Sequence, residues 1–301
     1  MAEPRVSGLH SAELGVQDMA AAKKFFTDTW GLEAIVEEDG AIYLRGTGPS
    51  QYIVALHPRD KTELVRITLL ADDREAVDGL YDTVRNRNLG ETEAPADLTT
   101  PGGGYGFTFK DSEGRNIRIA TGIATHSDVK DVADRPRKLS HVVLNAASPE
   151  KSIQMFTDLL KFKISDSTHM MSFLRCGSDH HNIAVIHGES RPTLHHIAFE
   201  MPDLESVMRG AGRCRENDTP VEWGVGRHGP GNNVFAYFVG PEGYPIEYTA
   251  EVMQVDDSYP TGGPDDWGFP NGRTDHWGIT DPPTKRVKEA QTRIEFAATL
   301  G

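Results

Sequence analysis

The feature that most constrains this sequence is an internal repeat at about half its length. The segment LHSAELGVQDMAAAKKFFTDTWGLEA, from Leu9, echoes LSHVVLNAASPEKSIQMFTDLLKFKI, from Leu139. LVRITLLADDRE from Leu64 pairs with LHHIAFEMPDLES from Leu194, and GYGFTFKDSEGRNIRIATG from Gly104 with NVFAYFVGPEGYPIEYTAE from Asn233. Two copies of one unit must solve the same packing problem, so the repeat sets the architecture before any motif is read. Each copy reads as strand, turn and amphipathic helix, followed by several strands. In the second copy Ser148 stands at an N-cap position and Pro149 at the first helical position, while Ile153, Phe156, Leu159 and Leu160 share one helical face. Ser112-Glu113-Gly114 and Pro241-Glu242-Gly243 supply the turns of the β-rich stretches. The pattern predicts an α+β chain with a first domain over 1–130, a second over 131–250, and a polar linker from Thr125 to Arg137. After Glu251 the pattern stops. Residues 251–301, rich in Gly, Pro, Asp and Trp, read as an irregular arm, and the basic run from Lys285 to Lys288 as a solvated face.

Composition narrows the function. A net charge of −14 argues against nucleic acid, whose binding requires clustered Lys and Arg. The sequence contains no run of about 18 apolar residues and its start lacks a secretory layout, so no membrane partner and a cytoplasmic location are expected. Cys176 and Cys214 lie far apart in no ligand-like spacing, which disfavours a disulfide framework or a thiolate metal site. A small-molecule ligand remains.

The chemistry appears where the halves differ. The first carries His10, Arg66 and Arg118 where the second carries His141, His196 and Glu247. Two imidazoles and a carboxylate form the ligand set of a facial triad, which leaves open positions on a non-haem metal. Arginine is always cationic and cannot ligate a divalent ion, so only the second half is expected to bind metal. A single His among 12 says little. Two in the opening strands of successive units, with a Glu in a closing strand that is otherwise apolar, say more, since a buried carboxylate needs a partner.

The segments LHHIAFEM and PEGYPIEYTAE, the run Asp179-His180-His181-Asn182, and the motif Gly226-Arg227-His228-Gly229 followed by Tyr237 together resemble the type I extradiol dioxygenases. That family includes ring-cleaving enzymes for catechol, dihydroxybiphenyl and homoprotocatechuate. The resemblance implies the vicinal-oxygen-chelate fold, like glyoxalase and bleomycin-resistance proteins, with two domains each built from a pair of βαβββ modules. It implies metal ligation by His141, His196 and Glu247, an acid-base role for His181, and hydrogen bonding to substrate oxygens by His228 and Tyr237. It further implies Fe(II), with Mn(II) as the alternative, a small aromatic diol and O2 as substrates, meta-cleavage in aromatic catabolism, and a homo-oligomer. His195 is expected to face away from the site by strand alternation.

The substrate signal is thinner. Relatives that take carboxylate-bearing catechols have an arginine five residues before the GRHG histidine, where this chain has Trp223, which points to an apolar or aromatic substituent. Arg273 in the arm is the candidate for meeting a negative substituent. Trp267, Phe269, His276 and Trp277 are candidate lid residues. Three rivals stay open: a glyoxalase-like isomerase or lyase, a hydroxyphenylpyruvate-type dioxygenase, whose longer C-terminal extension is missing, and a metal-free protein that binds an aromatic ligand.

Overall fold

The computed structural model describes residues 3–268 and 272–300; Phe269 lies outside them. The first half opens with β1 (Val6–Val16), α1 (Met19–Lys24), β2 (Glu33–Glu38), β3 (Ala41–Arg45) and β4 (Val54–Pro58). It continues with β5 (Glu63–Ala71), α2 (Arg74–Arg87), β6 (Ala96–Asp97), β7 (Tyr105–Lys110) and β8 (Asn116–Thr121). The second half repeats the series as β9 (Lys138–Asn145), α3 (Pro149–Gln154), β10 (Lys163–Ser167), β11 (Met171–Arg175) and β12 (Ile183–Ile186). Its second module is β13 (Leu194–Glu200), α4 (Leu204–Glu216), β14 (Trp223–Arg227), β15 (Val234–Val239) and β16 (Pro245–Ala250). The sheets run β2-β3-β4-β1-β5-β8-β7-β6 and β10-β11-β12-β9-β13-β16-β15-β14, the same order twice. This is the expected α+β fold of paired βαβββ modules.

Local chemistry explains the helix starts. Asp18, Asp73 and Asp203 cap α1, α2 and α4, accepting from the backbone N–H of Ala21, Ala76 and Ser206. Ser148 occupies the N-cap of α3, but its side chain makes no capping bond. Instead the Glu113 carboxylate, from the last hairpin of the first half, accepts from the N–H groups of Ala147 and Ser148 at 2.8 and 2.9 Å. Glu242, in the matching turn of the second half, accepts from Gln17 and from Asp18, the latter at 2.7 Å. Each half thus caps the first helix of the other.

One apolar core serves both halves. Trp30 is fully buried, stacks on Tyr248 at 3.8 Å and meets Phe199 and Phe238 edge-on at 5.4 Å each. Successive strand residues point to opposite faces. Along β16, Ile246 and Tyr248 enter this core while Glu247 faces the other side; along β15, Val234, Ala236 and Phe238 enter it while Phe235, Tyr237 and Val239 do not. The face turned from the core carries the polar chemistry of both halves.

The arm is more ordered than the sequence suggests. Thr284 caps a short helix, α5 (Lys285–Ala290), whose Val287 and Ala290 are buried beside Phe235, Tyr237 and Val239. Lys285, Arg286 and Lys288 form the exposed side of this docked helix, as expected of a solvated basic face. Beyond it, Ile294 bridges to Leu194, and β17 (Glu295–Phe296) pairs in parallel with the start of β5. The chain returns to the first half, where Asn116 Nδ2 donates to the carbonyls of Ala297 and Thr299. Among the described residues no helix is long and apolar enough to cross a membrane.

Candidate metal centre and active site

Three strands place the triad. β13 lies between β9 and β16, and the register sets Ala198 beside both His141 and Glu247. His141, His196 and Glu247 are buried, and their ligand atoms all lie within 4.8 Å of one another. His141 Nε2 stands 3.3 Å and His196 Nε2 3.0 Å from Glu247 Oε2. Metal bonds of about 2.1 Å at right angles would separate neighbouring ligands by about 3 Å, so these separations suit a common ion. Two atoms of the group, His196 Nε2 and Glu247 Oε1, are buried without a hydrogen-bond partner. Two imidazoles and a carboxylate gathered this closely, two of their atoms without a hydrogen-bond partner, fit a divalent metal.

The remaining ring nitrogens are oriented from behind. His141 Nδ1 meets Ser140 Oγ at 3.2 Å, and His196 Nδ1 meets His195 Nδ1 at 2.7 Å. Such partners fix the tautomer that leaves Nε2 free to ligate. His195 does not point away as simple alternation predicts. A bulge between Leu194 and His196 breaks the alternation and brings its ring edge-on to His196. Burial alone would raise the Glu247 carboxyl, but its close contacts with His141, then His196, more than reverse this and hold it below the usual carboxylate range. Burial lowers His196, opposed by Glu247.

His181 and the pair His228 and Tyr237 border the triad. The His181 ring lies 4.3 Å from that of His141 and 5.1 Å from Phe173. Burial first, then the neighbouring imidazoles, push its pKa well below the ordinary value. His228 Nε2 sits 3.2 Å from the Tyr237 hydroxyl and 3.9 Å from Glu247 Oε1, its ring stacked on Phe235. Burial lowers His228 to about 4 despite Glu247, and burial with Glu247 raises the Tyr237 phenol well above its ordinary range.

A family model described as Glyoxalase/Bleomycin resistance protein/Dioxygenase superfamily matches residues 8–119 and 138–248, both repeats of the chain. The chain belongs to this superfamily. The chain is similar to the crystal structure of the Mn(II)-bound glyoxalase from Novosphingobium aromaticivorans, 36% identical, with 94% of each chain covered and a TM-score of 0.86. Metapyrocatechase 2 from Cupriavidus necator is 33% identical over 47% of this chain, and the match spans 45% of that relative. Biphenyl-2,3-diol 1,2-dioxygenase from Metapseudomonas furukawaii is 24% identical over 81% of this chain and 86% of its own length. Further relatives include extradiol dioxygenases named as iron-dependent and as manganese-dependent.

Within this superfamily chain the structure adds residues that sequence reasoning passed over. His180, next to His181, is fully buried: its Nε2 lies 2.6 Å from Asp166 Oδ2 and its Nδ1 3.1 Å from His181 Nδ1. Asp166 also accepts from the Tyr259 hydroxyl at 3.0 Å and the Gly262 N–H at 2.7 Å. The paired histidines were the only trace of this chain in the sequence. Trp223 stacks on Tyr237 at 5.0 Å and lies 5.5 Å from His228. Arg273 is exposed on the arm and donates to the His276 carbonyl at 3.4 Å. Trp267 and His276 pack on Gly229, where a Cβ would stand 2.9 Å from His276 Nε2 and 3.3 Å from Trp267 Cε3. Trp277 lies on the Arg227 guanidinium at 4.8 Å.

Proposed function

We propose that the protein is an Fe(II)-dependent extradiol dioxygenase that inserts both atoms of O2 into a catechol-type diol. The ring carbon–carbon bond beside the hydroxyls breaks, giving a ring-opened semialdehyde acid. The observation that carries the reading is the convergence of His181, His228 and Tyr237 on the face that holds His141, His196 and Glu247. A glyoxalase has no evident use for that set, whereas a reaction that moves two diol protons does. A metal held by the triad would acidify both hydroxyls as a Lewis acid and offer adjacent open positions to diol and O2.

The chain's own residues then handle the protons. His180 Nε2 donates to the Asp166 carboxylate, so His180 Nδ1 presents a lone pair and accepts the proton on His181 Nδ1. That leaves His181 Nε2 as the basic nitrogen, neutral at pH 7 because burial disfavours its charged form. His181 takes a hydroxyl proton at Nε2 and returns it as the ring opens. Tyr237 keeps its proton. With His228 Nε2–H donating to the phenol oxygen, the Tyr237 O–H would turn from Glu247 to a substrate oxygen and stabilise charge that develops there. Trp223, stacked on Tyr237, suits an apolar or aromatic substituent, and Arg273 is the arm's candidate for a negative one. Two free, buried cysteines suit a reducing cytoplasm, and we infer a homo-oligomer by likeness to the extradiol enzymes.

The test is to purify the protein anaerobically, load Fe(II), add 3-methylcatechol or 2,3-dihydroxybiphenyl, and follow oxygen uptake with the yellow ring-opened product. Uptake equal to product is expected. Absence of uptake by fully metallated protein across a catechol panel would reject the reading. A second reading, a metal-dependent isomerase, is favoured by the 36% identity to the Mn(II)-bound glyoxalase, and it requires turnover without oxygen.

A further inference from the structure

The first half carries a buried polar cluster on the face that matches the metal centre. Arg118 lies opposite Thr68 and Thr108, as Glu247 lies opposite Ala198 and Tyr237. Arg66 lies opposite Glu13, as His196 lies opposite Val143. Tyr52 precedes Ile53, whose carbonyl accepts from Ala12, as His181 precedes Asn182, whose carbonyl accepts from Val142. The face therefore places an arginine at the carboxylate ligand's position and a tyrosine at that of His181.

Among the described residues its charges do not balance. Glu13, fully buried, is saturated: Arg66 Nε and NH2 donate to it at 3.1 and 2.7 Å, and His57 Nε2 meets it at 2.8 Å. Arg66 NH1 donates to the Leu300 carbonyl at 3.1 Å. Arg118 is the second guanidinium on a single buried carboxylate, and its NH1 stands 3.6 Å from Glu13 Oε1, too far for a hydrogen bond. Arg118 is 9% exposed, and its Nε and NH1 are buried with no partner among the described residues. Among the described residues His10 Nε2 is also buried and unpartnered, and the buried Tyr52 hydroxyl has only the hydroxyl of Thr100 beside it. The His10 ring meets Tyr52 edge-on at 4.9 Å, and the charge of Arg118 reaches both residues. Among the described residues a further carboxylate that acts on both arginines, Glu93, is exposed. A buried guanidinium with idle donors is strongly unfavourable unless an anion completes it.

We propose that this face is a second ligand site, distinct from the metal centre, that takes one small monocarboxylate between Arg118, Tyr52 and His10. A single negative charge neutralises the surplus cation, and a planar carboxylate matches the guanidinium fork. Tyr43 and Tyr52, edge-to-face at 5.0 Å and packed with Ala41 and Ala55, offer an apolar wall on the same face. That wall corresponds to Val143, Phe173, Ala184 and Ile186 beside the metal centre, so an aromatic carboxylate is favoured over acetate.

The test uses the metal-loaded full chain in carboxylate-free buffer, with benzoate, acetate and inorganic phosphate as probes for calorimetric titration and thermal unfolding. Benzoate is expected to bind once per chain and more tightly than acetate, raising the unfolding temperature by about 5 °C or more at a hundredfold excess over Kd. Arg118→Leu should abolish that binding while the free protein unfolds no earlier than wild type, because a buried unpaired charge has gone. Tyr52→Phe should weaken binding about fivefold to tenfold. No saturable binding of benzoate or acetate by wild type, preference for phosphate over both, or benzoate binding unchanged in Arg118→Leu would each overturn the proposal.

Discussion

The two halves have the same strands in the same order, yet opposite electrostatics on the same face. The difference begins at one bulge. In β1 the inserted residue is His10 and the ladder residue is Ser11; in β9 the inserted residue is Ser140 and the ladder residue is His141. The expectation that His10 matches His141 is thereby corrected: Ser11 takes that place, and His10 turns to Tyr52. In the second half two imidazoles and one carboxylate converge on a common point, a ligand set that calls for a cation. In the first half two guanidiniums close on Glu13, a net positive cluster that repels one. A fold of this kind fixes where side chains meet; four or five residues on one face decide which charge they call for.

The largest effect should come from Glu247→Ala, which removes the anion from the metal centre. Metal content should fall to background by elemental analysis, and oxygen uptake should drop by far more than the roughly 10- to 100-fold cost of losing a supporting group around a metal. The same change at its counterpart, Arg118→Ala, should leave metal content intact. Next, His181→Gln should slow turnover by about 10²- to 10⁴-fold at unchanged metal content, the range for a lost acid-base group. Metal loss in that variant would instead make His181 a structural support of the triad.

Glu13→Gln should strike stability rather than chemistry. It leaves Arg66 and Arg118 buried without their counter-charge, a loss of about 3–5 kcal/mol in denaturant unfolding, with metal bound as before. Glu13 is pushed up by burial but pulled further down by Arg66, His57 and Arg118, so its carboxyl is held below the usual range. A group depressed on folding contributes fully above its unfolded pKa and less as pH falls through that value toward the folded one. The first half should therefore lose stability in acid, and Glu13→Gln should flatten that loss. The smallest effect belongs to Asp166→Asn, expected to cut kcat by about 10- to 100-fold with KM and metal content held, since it frees the tautomer of His180 and, through it, His181. Equal loss in His181→Gln and in the double variant would place both residues in one relay.

Much of this was legible in the sequence because the repeat preserves its pleat: strand, helix and turn signals recur in order, and ligand-type residues stand out against apolar strands. What escaped depends on contacts between distant segments or on breaks in alternation. The bulges at His10 and His195 shift a face by one residue without any local signature. Asp166, His180 and Tyr259 meet only when β10, the β12 approach and the arm come together. Glu13 reads as an ordinary polar residue until Arg66 and His57 close on it. The helix α5 is hidden because only Val287 and Ala290 of its six residues are buried.

The most direct test of the central claim is the metal stoichiometry of three chains, wild type, Glu247→Ala and Glu13→Gln, loaded anaerobically with Fe(II), desalted and analysed per chain. One ion in wild type and in Glu13→Gln, with none in Glu247→Ala, is the predicted result. Two ions per wild-type chain, or an ion retained by Glu247→Ala, would contradict the assignment of metal chemistry to the second half alone.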